Sequence, residues 1–143
     1  MVQVDRSVLV GYTAQQMFSL VDRVEEYPEF LPWCTGASAS QHNEKITLAT
    51  IRLNYRYFKQ SYTTENTKHA PHSIEMRLIS GPFRHLEGSW RFIQLGGAGC
   101  KIEFRLRYEF SSKLLEKLLG PAFQHIADRL VDGFIKRAKK VYG

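Results

Sequence analysis

The chain has 143 residues, of which 43% are hydrophobic and 24% charged, with a formal net charge of +6. That length predicts a single domain, 1–143, able to remove about 68–70% of its unfolded surface from water, and the composition excludes a disordered polymer. No run approaches the ~18 apolar residues of a membrane span, and the basic balance predicts attraction to ribosomal RNA or a phospholipid surface without specifying a fold.

The opening residues, Met1 to Arg6, show no basic-then-apolar export plan. The expected location is therefore the cytoplasm, or a peripheral position on the inner membrane. Cys34 and Cys100 stand far apart with no second pair, which predicts reduced, packed thiols. Val2, Val4, Val8 and Val10 alternate with polar residues and predict a first strand. Thr13-Ala14-Gln15-Gln16 fits a capping box that opens an amphipathic helix over about 13–24. Glu25 to Cys34 then holds Pro28 and Pro32 among Tyr27, Phe30, Leu31 and Trp33. Two prolines forbid a long helix, and the large apolar groups forbid a solvated linker. The expectation is a short helical turn and a knuckle lying over the core.

From Gly36 to Phe110 the period is close to two. Asn43-Glu44 predicts a hairpin between 36–42 and 45–54. Phe58, Gln60, Tyr62 and Thr64 predict the next strand, with Asn66 to His72 as the turn after it. Ile74, Met76 and Leu78 mark one face of another strand, and Gly81-Pro82 interrupts before Leu86, Gly88, Trp90 and Phe92. Gly96 to Gly99 is a turn. Cys100, Ile102, Phe104, Leu106, Tyr108 and Phe110 then alternate with Lys101, Glu103, Arg105, Arg107 and Glu109, one face dry and one wet.

Residues 111–143 carry apolar pairs four apart, from Leu114, Leu115, Leu118 and Leu119 through Phe134 and Ala138, and predict a helix roughly 45 Å long. Gly120-Pro121 predicts a bend in its first half. The order strand, helix, turn, six strands, long helix makes an α+β fold in which a curled seven-stranded antiparallel sheet grips the last helix. The space between them is the expected ligand chamber.

Catalytic signatures are weak. His69 and His72 are a close pair in a turn without a third ligand, and Gly96 to Lys101 lacks the spacing and helix of a phosphate loop. Glu75, Glu87, Glu103 and Glu109 alternate with basic residues, as cross-strand charge pairs do. Polar chamber candidates by alternation are Thr50, Arg52, Tyr62, Thr64 and Glu65. Lys136, Arg137, Lys139 and Lys140 crowd the last helical turns, where cations complement the helix dipole or, together with Lys113, Lys117 and Arg129, meet an anionic surface.

Three stretches taken together resemble the coenzyme Q-binding START-like family: Glu26-Tyr-Pro-Glu-Phe-Leu-Pro-Trp-Cys34, then Gly81-Pro-Phe-Arg-His-Leu86 with Trp90-Arg-Phe92, and Phe134-Ile-Lys-Arg-Ala138. Bacterial members of that family are also described as ribosome association toxins and, in older naming, as oligoketide cyclases, within the polyketide cyclase superfamily. The resemblance implies a helix-grip fold with a hydrophobic tunnel between sheet and helix. It implies non-catalytic binding of ubiquinone or a related lipid in support of respiration, with no cofactor beyond that ligand. For the toxin description it implies binding to the large ribosomal subunit and blocking its union with the small one. A cyclase-type enzyme is the third reading.

Carried onto this sequence, the resemblance sets Pro32 and Trp33 at the tunnel mouth. Phe83, Leu86, Trp90 and Phe92 become its floor, and Phe123, Ala127, Leu130 and Phe134 its roof. Phe30 at the entrance and Tyr62, Met76, Leu78 and Phe104 on the dry strand faces complete the expected lining. The anionic-surface set is Lys136, Arg137, Lys139 and Lys140.

Overall fold

Dry-faced strands and one long apolar helix stripe leave the chain a single economical arrangement, and the computed structural model, which describes residues 1–56 and 58–143, adopts it. Strand β1 (Val2–Val10) leads to helix α1 (Ala14–Asp22) and a 3₁₀ turn (Val24–Glu29). Strands β2 (Cys34–His42), β3 (Ile46–Tyr55), β4 (Phe58–His69), β5 (Ser73–Ser80), β6 (Phe83–Leu95) and β7 (Gly99–Phe110) follow, and helix α2 (Lys113–Tyr142) closes the chain. All seven strands form one antiparallel sheet in the order β1-β7-β6-β5-β4-β3-β2.

The expected capping box is present. The Thr13 hydroxyl accepts from the Gln16 amide at 3.1 Å while Gln16 Oε1 accepts from the Thr13 amide at 2.9 Å. Ser112 caps α2 in the same manner by accepting from the Leu115 amide. Lys139 and Lys140 occupy the last turn of α2, where the helix dipole favours cations.

Two local expectations change, at the β4–β5 turn and at the start of α2. The turn expected over Asn66 to His72 shrinks to residues 70–72, because Asn66, Thr67 and Lys68 pair with Met76, Glu75 and Ile74 and extend β4 to His69. Helix α2 runs through Gly120-Pro121 without a break. Pro121 is exposed, and the carbonyl it deprives belongs to exposed Lys117, so water can take up the lost bond. The apolar stripe of α2 enters the core only from Leu119; Leu114 and Leu118 remain 65% and 61% exposed.

The sheet's inner face carries Ile102, Phe104 and Tyr108 of β7, Trp90 and Phe92 of β6, and Ala49, Ile51 and Leu53 of β3, all buried. Helix α2 lays Phe123, Ile126, Ala127, Val131, Phe134 and Ala138 against it, and Tyr108 donates from its hydroxyl to Gln124 Oε1 at 3.0 Å. Arg6 reaches from β1 to the Asp128 carbonyl (2.9 Å) and the Asp132 carboxylate (3.0 Å), fixing the register of helix on sheet. The outer face is charged, with Glu65–Arg77, Glu87–Arg107 and Glu109–Arg84 paired across it.

Phe92 lies under α1, its ring 6.0 Å from Phe18 and edge-on, and is 1% exposed. Phe92→Ala is expected to lower the unfolding free energy by about 3–5 kcal/mol, read from urea denaturation, because the site sits in a packed interior that cannot collapse.

Candidate ligand-binding cavity

The segment after α1 places four apolar side chains over the open side of the sheet. The 3₁₀ turn includes Pro28 and ends at Glu29; the chain then turns through Leu31, whose amide bonds to the Tyr27 carbonyl, and enters β2 at Cys34. Val24, Tyr27, Leu31 and Trp33 point inward from this strap. Gly133 of α2 allows the close approach, since a Cβ there would stand 2.6 Å from Leu31 Cδ2. Phe134 then receives Tyr27 and Phe30 edge-on at 5.2 and 5.3 Å.

Between strap, sheet and α2 lies a cavity of about 80 Å³, by the space open to water centres. That is room for a handful of waters at roughly 10–15 Å³ each. The expected residues Trp33, Tyr62, Met76, Leu86, Trp90, Phe104, Phe123, Ala127, Leu130 and Phe134 line it. The other expected positions lie elsewhere. Phe30 packs on the outer side of Phe134, and Pro32 is exposed. Phe83 sits among Tyr108, Phe110 and Phe123 at one end of the sheet, and Phe92 is covered by α1. Leu78 is half-buried beyond Arg77, where the pairing of β5 with β6 stops.

Sequence reasoning passed over Val24, Tyr27, Leu31, Cys34, Ala49, Ile51, Leu53, Asn66, Leu106 and Ile126, which also line the cavity. The inward parity of Ala49, Ile51 and Leu53 is written in β3, but which face of that strand is dry depends on its pairing with β4. Among the polar candidates, Tyr62 and Thr64 face inward. Thr50 bonds to Thr63 at 2.8 Å, Arg52 is exposed and Glu65 pairs with Arg77 at 2.7 Å, so these three lie outside the chamber.

The polar groups at the wall are neutral. The Tyr27 hydroxyl donates to the Val21 carbonyl. Burial pushes the Tyr27 and Tyr62 phenols well above their ordinary range, and it raises the Cys34 thiol. None of these groups is poised as a base near neutral pH. Among the described residues no cluster of His, Cys, Asp or Glu could hold a metal ion.

The basic set divides. Lys136, Lys139 and Lys140 are exposed and make no ion pair among the described residues. Arg137 is not part of that surface: its side chain is 12% exposed, and Nη2 lies 3.3 Å from Glu26 and 3.2 Å from Glu29, both on the strap. Its guanidinium also stands 5.0 Å from the Phe30 ring centre. Arg137 pins the strap to α2.

Residues 10–135 match the family described as polyketide cyclase / dehydrase and lipid transport. Among curated relatives, the ribosome association toxin RatA of Vibrio cholerae serotype O1 is 43% identical over 143 residues, covering 100% of this chain and 99% of its own. The coenzyme Q-binding protein COQ10 homolog B, mitochondrial, of Xenopus laevis is 27% identical over 146 residues, covering 99% of this chain and 60% of its own. Among solved structures, the ZhuI aromatase/cyclase of a Streptomyces superposes with a TM-score of 0.87 at 11% identity, covering 99% of this chain and 96% of that one. A START superfamily protein from Mycobacterium smegmatis does so at 0.77 and 19% identity, covering 97% and 98%. At such identities these two likenesses speak to fold alone.

Arg137→Ala should loosen the strap and speed the reaction of Cys34 with an aromatic disulfide reagent by about tenfold, the worth of one charge-assisted hydrogen bond. Cys100, buried on β7 away from the strap, should keep its rate; equal acceleration of both thiols would mean global loosening instead.

Proposed function

Because the chain belongs to the polyketide cyclase / dehydrase and lipid transport family, we propose that it binds ubiquinone or a similar hydrophobic lipid between its sheet and α2, without transforming it, in support of respiration. The observation that carries this reading is the cavity itself: an interior space walled almost wholly by apolar side chains and closed by a strap that one arginine holds down. Removing an isoprenoid chain from water supplies the driving force, at about 25 cal/mol per Å² of apolar area.

At about 80 Å³ the closed cavity is below the 300–1,000 Å³ usual for ligand pockets, so loading requires expansion. The strap is the element suited to give way. It holds α2 through side chains, whereas the strands beneath it are tied by continuous backbone ladders. Binding without turnover fits the neutral wall, where burial keeps Tyr27, Tyr62 and Cys34 protonated. The kinship with a coenzyme Q-binding protein lends further support, at lower identity.

Trp33 and Trp90 line the cavity and report on it directly. Titration with decylubiquinone should quench their fluorescence saturably, and extraction of the purified protein with organic solvent should recover lipid. A linear quench identical to that of free tryptophan, together with an empty extract, would remove this reading.

A second reading, association with the large ribosomal subunit that blocks subunit joining, is favoured by the full-length identity to a protein named for ribosome association. The exposed Lys136, Lys139 and Lys140 suit an RNA surface, and they lie on the solvent side of α2, away from the cavity. Co-sedimentation with isolated large subunits should weaken about fivefold per doubling of salt if three phosphates are neutralised. Reversing the three lysines to Glu should abolish it while leaving decylubiquinone quenching intact.

A further inference from the structure

The inner face of β4 changes character along its length. Phe58 and Tyr62 lie against Phe123 at one end, while Thr64, Asn66 and Lys68 are buried at the other. The last of these is satisfied: Lys68 Nζ lies 3.0 Å from Asp22 Oδ1 and ties β4 to the end of α1. Thr64 and Asn66 remain, and both line the cavity.

Thr64 gives its hydroxyl hydrogen to Asn66 Oδ1 at 2.7 Å. That bond occupies the amide oxygen and fixes the carboxamide plane. Asn66 lines the cavity, no hydrogen bond from its Nδ2 to another side chain or backbone atom is made among the described residues, and Nδ2 is not one of the sealed polar atoms, so it stays accessible. An accessible amide donor on an otherwise apolar wall is the group there best able to meet a ligand oxygen. The cavity wall also contains no Asp, Glu, Lys, Arg or His. A carboxylate or phosphate placed there would lack a counter-charge, and burying it would cost far more than a hydrogen bond returns.

We propose that Thr64 and Asn66 form the head-group anchor of the cavity, taking the carbonyl-type oxygen of an uncharged, single-headed ligand whose apolar remainder points toward Phe123 and Leu130. Asn66 is the donor, and Thr64 is a positioning residue that holds the amide for it. This rests on the ligand-binding reading above and narrows it to neutral ketone, quinone or ester heads, against fatty acids and phospholipids.

The test uses the full chain and chain-matched probes that displace the hydrocarbon dye diphenylhexatriene: 2-undecanone, undecane and undecanoate. Expected on the wild type is displacement by the ketone about fivefold better than by the alkane, the worth of one neutral hydrogen bond, with undecanoate weakest. Asn66→Leu should bring the ketone-to-alkane displacement ratio to about one. Thr64→Val should reduce the ketone-to-alkane ratio, a ligand-selective change that a purely structural role would not produce. Equal displacement by ketone and alkane on the wild type, or undecanoate matching the ketone, overturns the anchor while the cavity reading stands. Failure of the wild type to bind the dye removes both. Should Asn66→Leu not fold, the wild-type series and Thr64→Val still decide the matter.

Discussion

Phe134 meets Trp90 of the sheet and Tyr27 and Phe30 of the strap, all edge to face at 5.2–5.3 Å. That one ring joins floor, roof and lid. Edge-to-face aromatic pairs are each worth about 0.5–1.5 kcal/mol beyond their buried area, so the cluster sets where α2 settles on the sheet. Phe134 also lines the cavity between α2 and the sheet, whose wall includes the small residues Ala49 and Ala127.

The same geometry separates two kinds of surface on one helix. Inward residues of α2 are apolar and define a volume; outward residues in its last turns are lysines that nothing neutralises among the described residues. A lipid and a polyanion therefore do not compete for the same atoms. Arg137 stands at the boundary between them, since its charge is spent on Glu26 and Glu29. Any partner that drew those carboxylates away would release the strap, which is a physical route by which surface binding and cargo exchange could be coupled.

A chain of polyketide cyclase kinship need not perform cyclase chemistry, because the fold supplies a chamber and the wall decides what happens inside it. Here the wall offers phenol and thiol groups that burial keeps protonated, with a Thr hydroxyl and an Asn amide that carry no charge in any case. Such groups can orient an oxygen atom; they are poorly placed to move a proton at neutral pH.

Alternation in β1 and β7, the capping box at Thr13 and the four-residue periodicity of α2 made the element order, the single antiparallel sheet and the gripping helix readable from sequence. Each is a local periodicity, and periodicity depends only on neighbours in the chain. Part of the cavity wall, Trp33, Trp90 and the α2 positions Phe123, Ala127, Leu130 and Phe134, was expected from the family resemblance and not from periodicity. Tertiary structure alone decided the rest. Whether Phe92 faces cargo or α1, whether Thr50 or Thr64 turns inward, and whether Arg137 is a surface charge or a pin depend on strand register and on residues more than a hundred positions away, as Arg137 is from Glu26. A one-residue change of register exchanges the two faces of a strand, and the faces of β3 and β4 are both mixed in polarity. Their composition therefore could not say which side would be enclosed, and it was enclosure that turned Asn66 from a turn residue into part of the cavity wall.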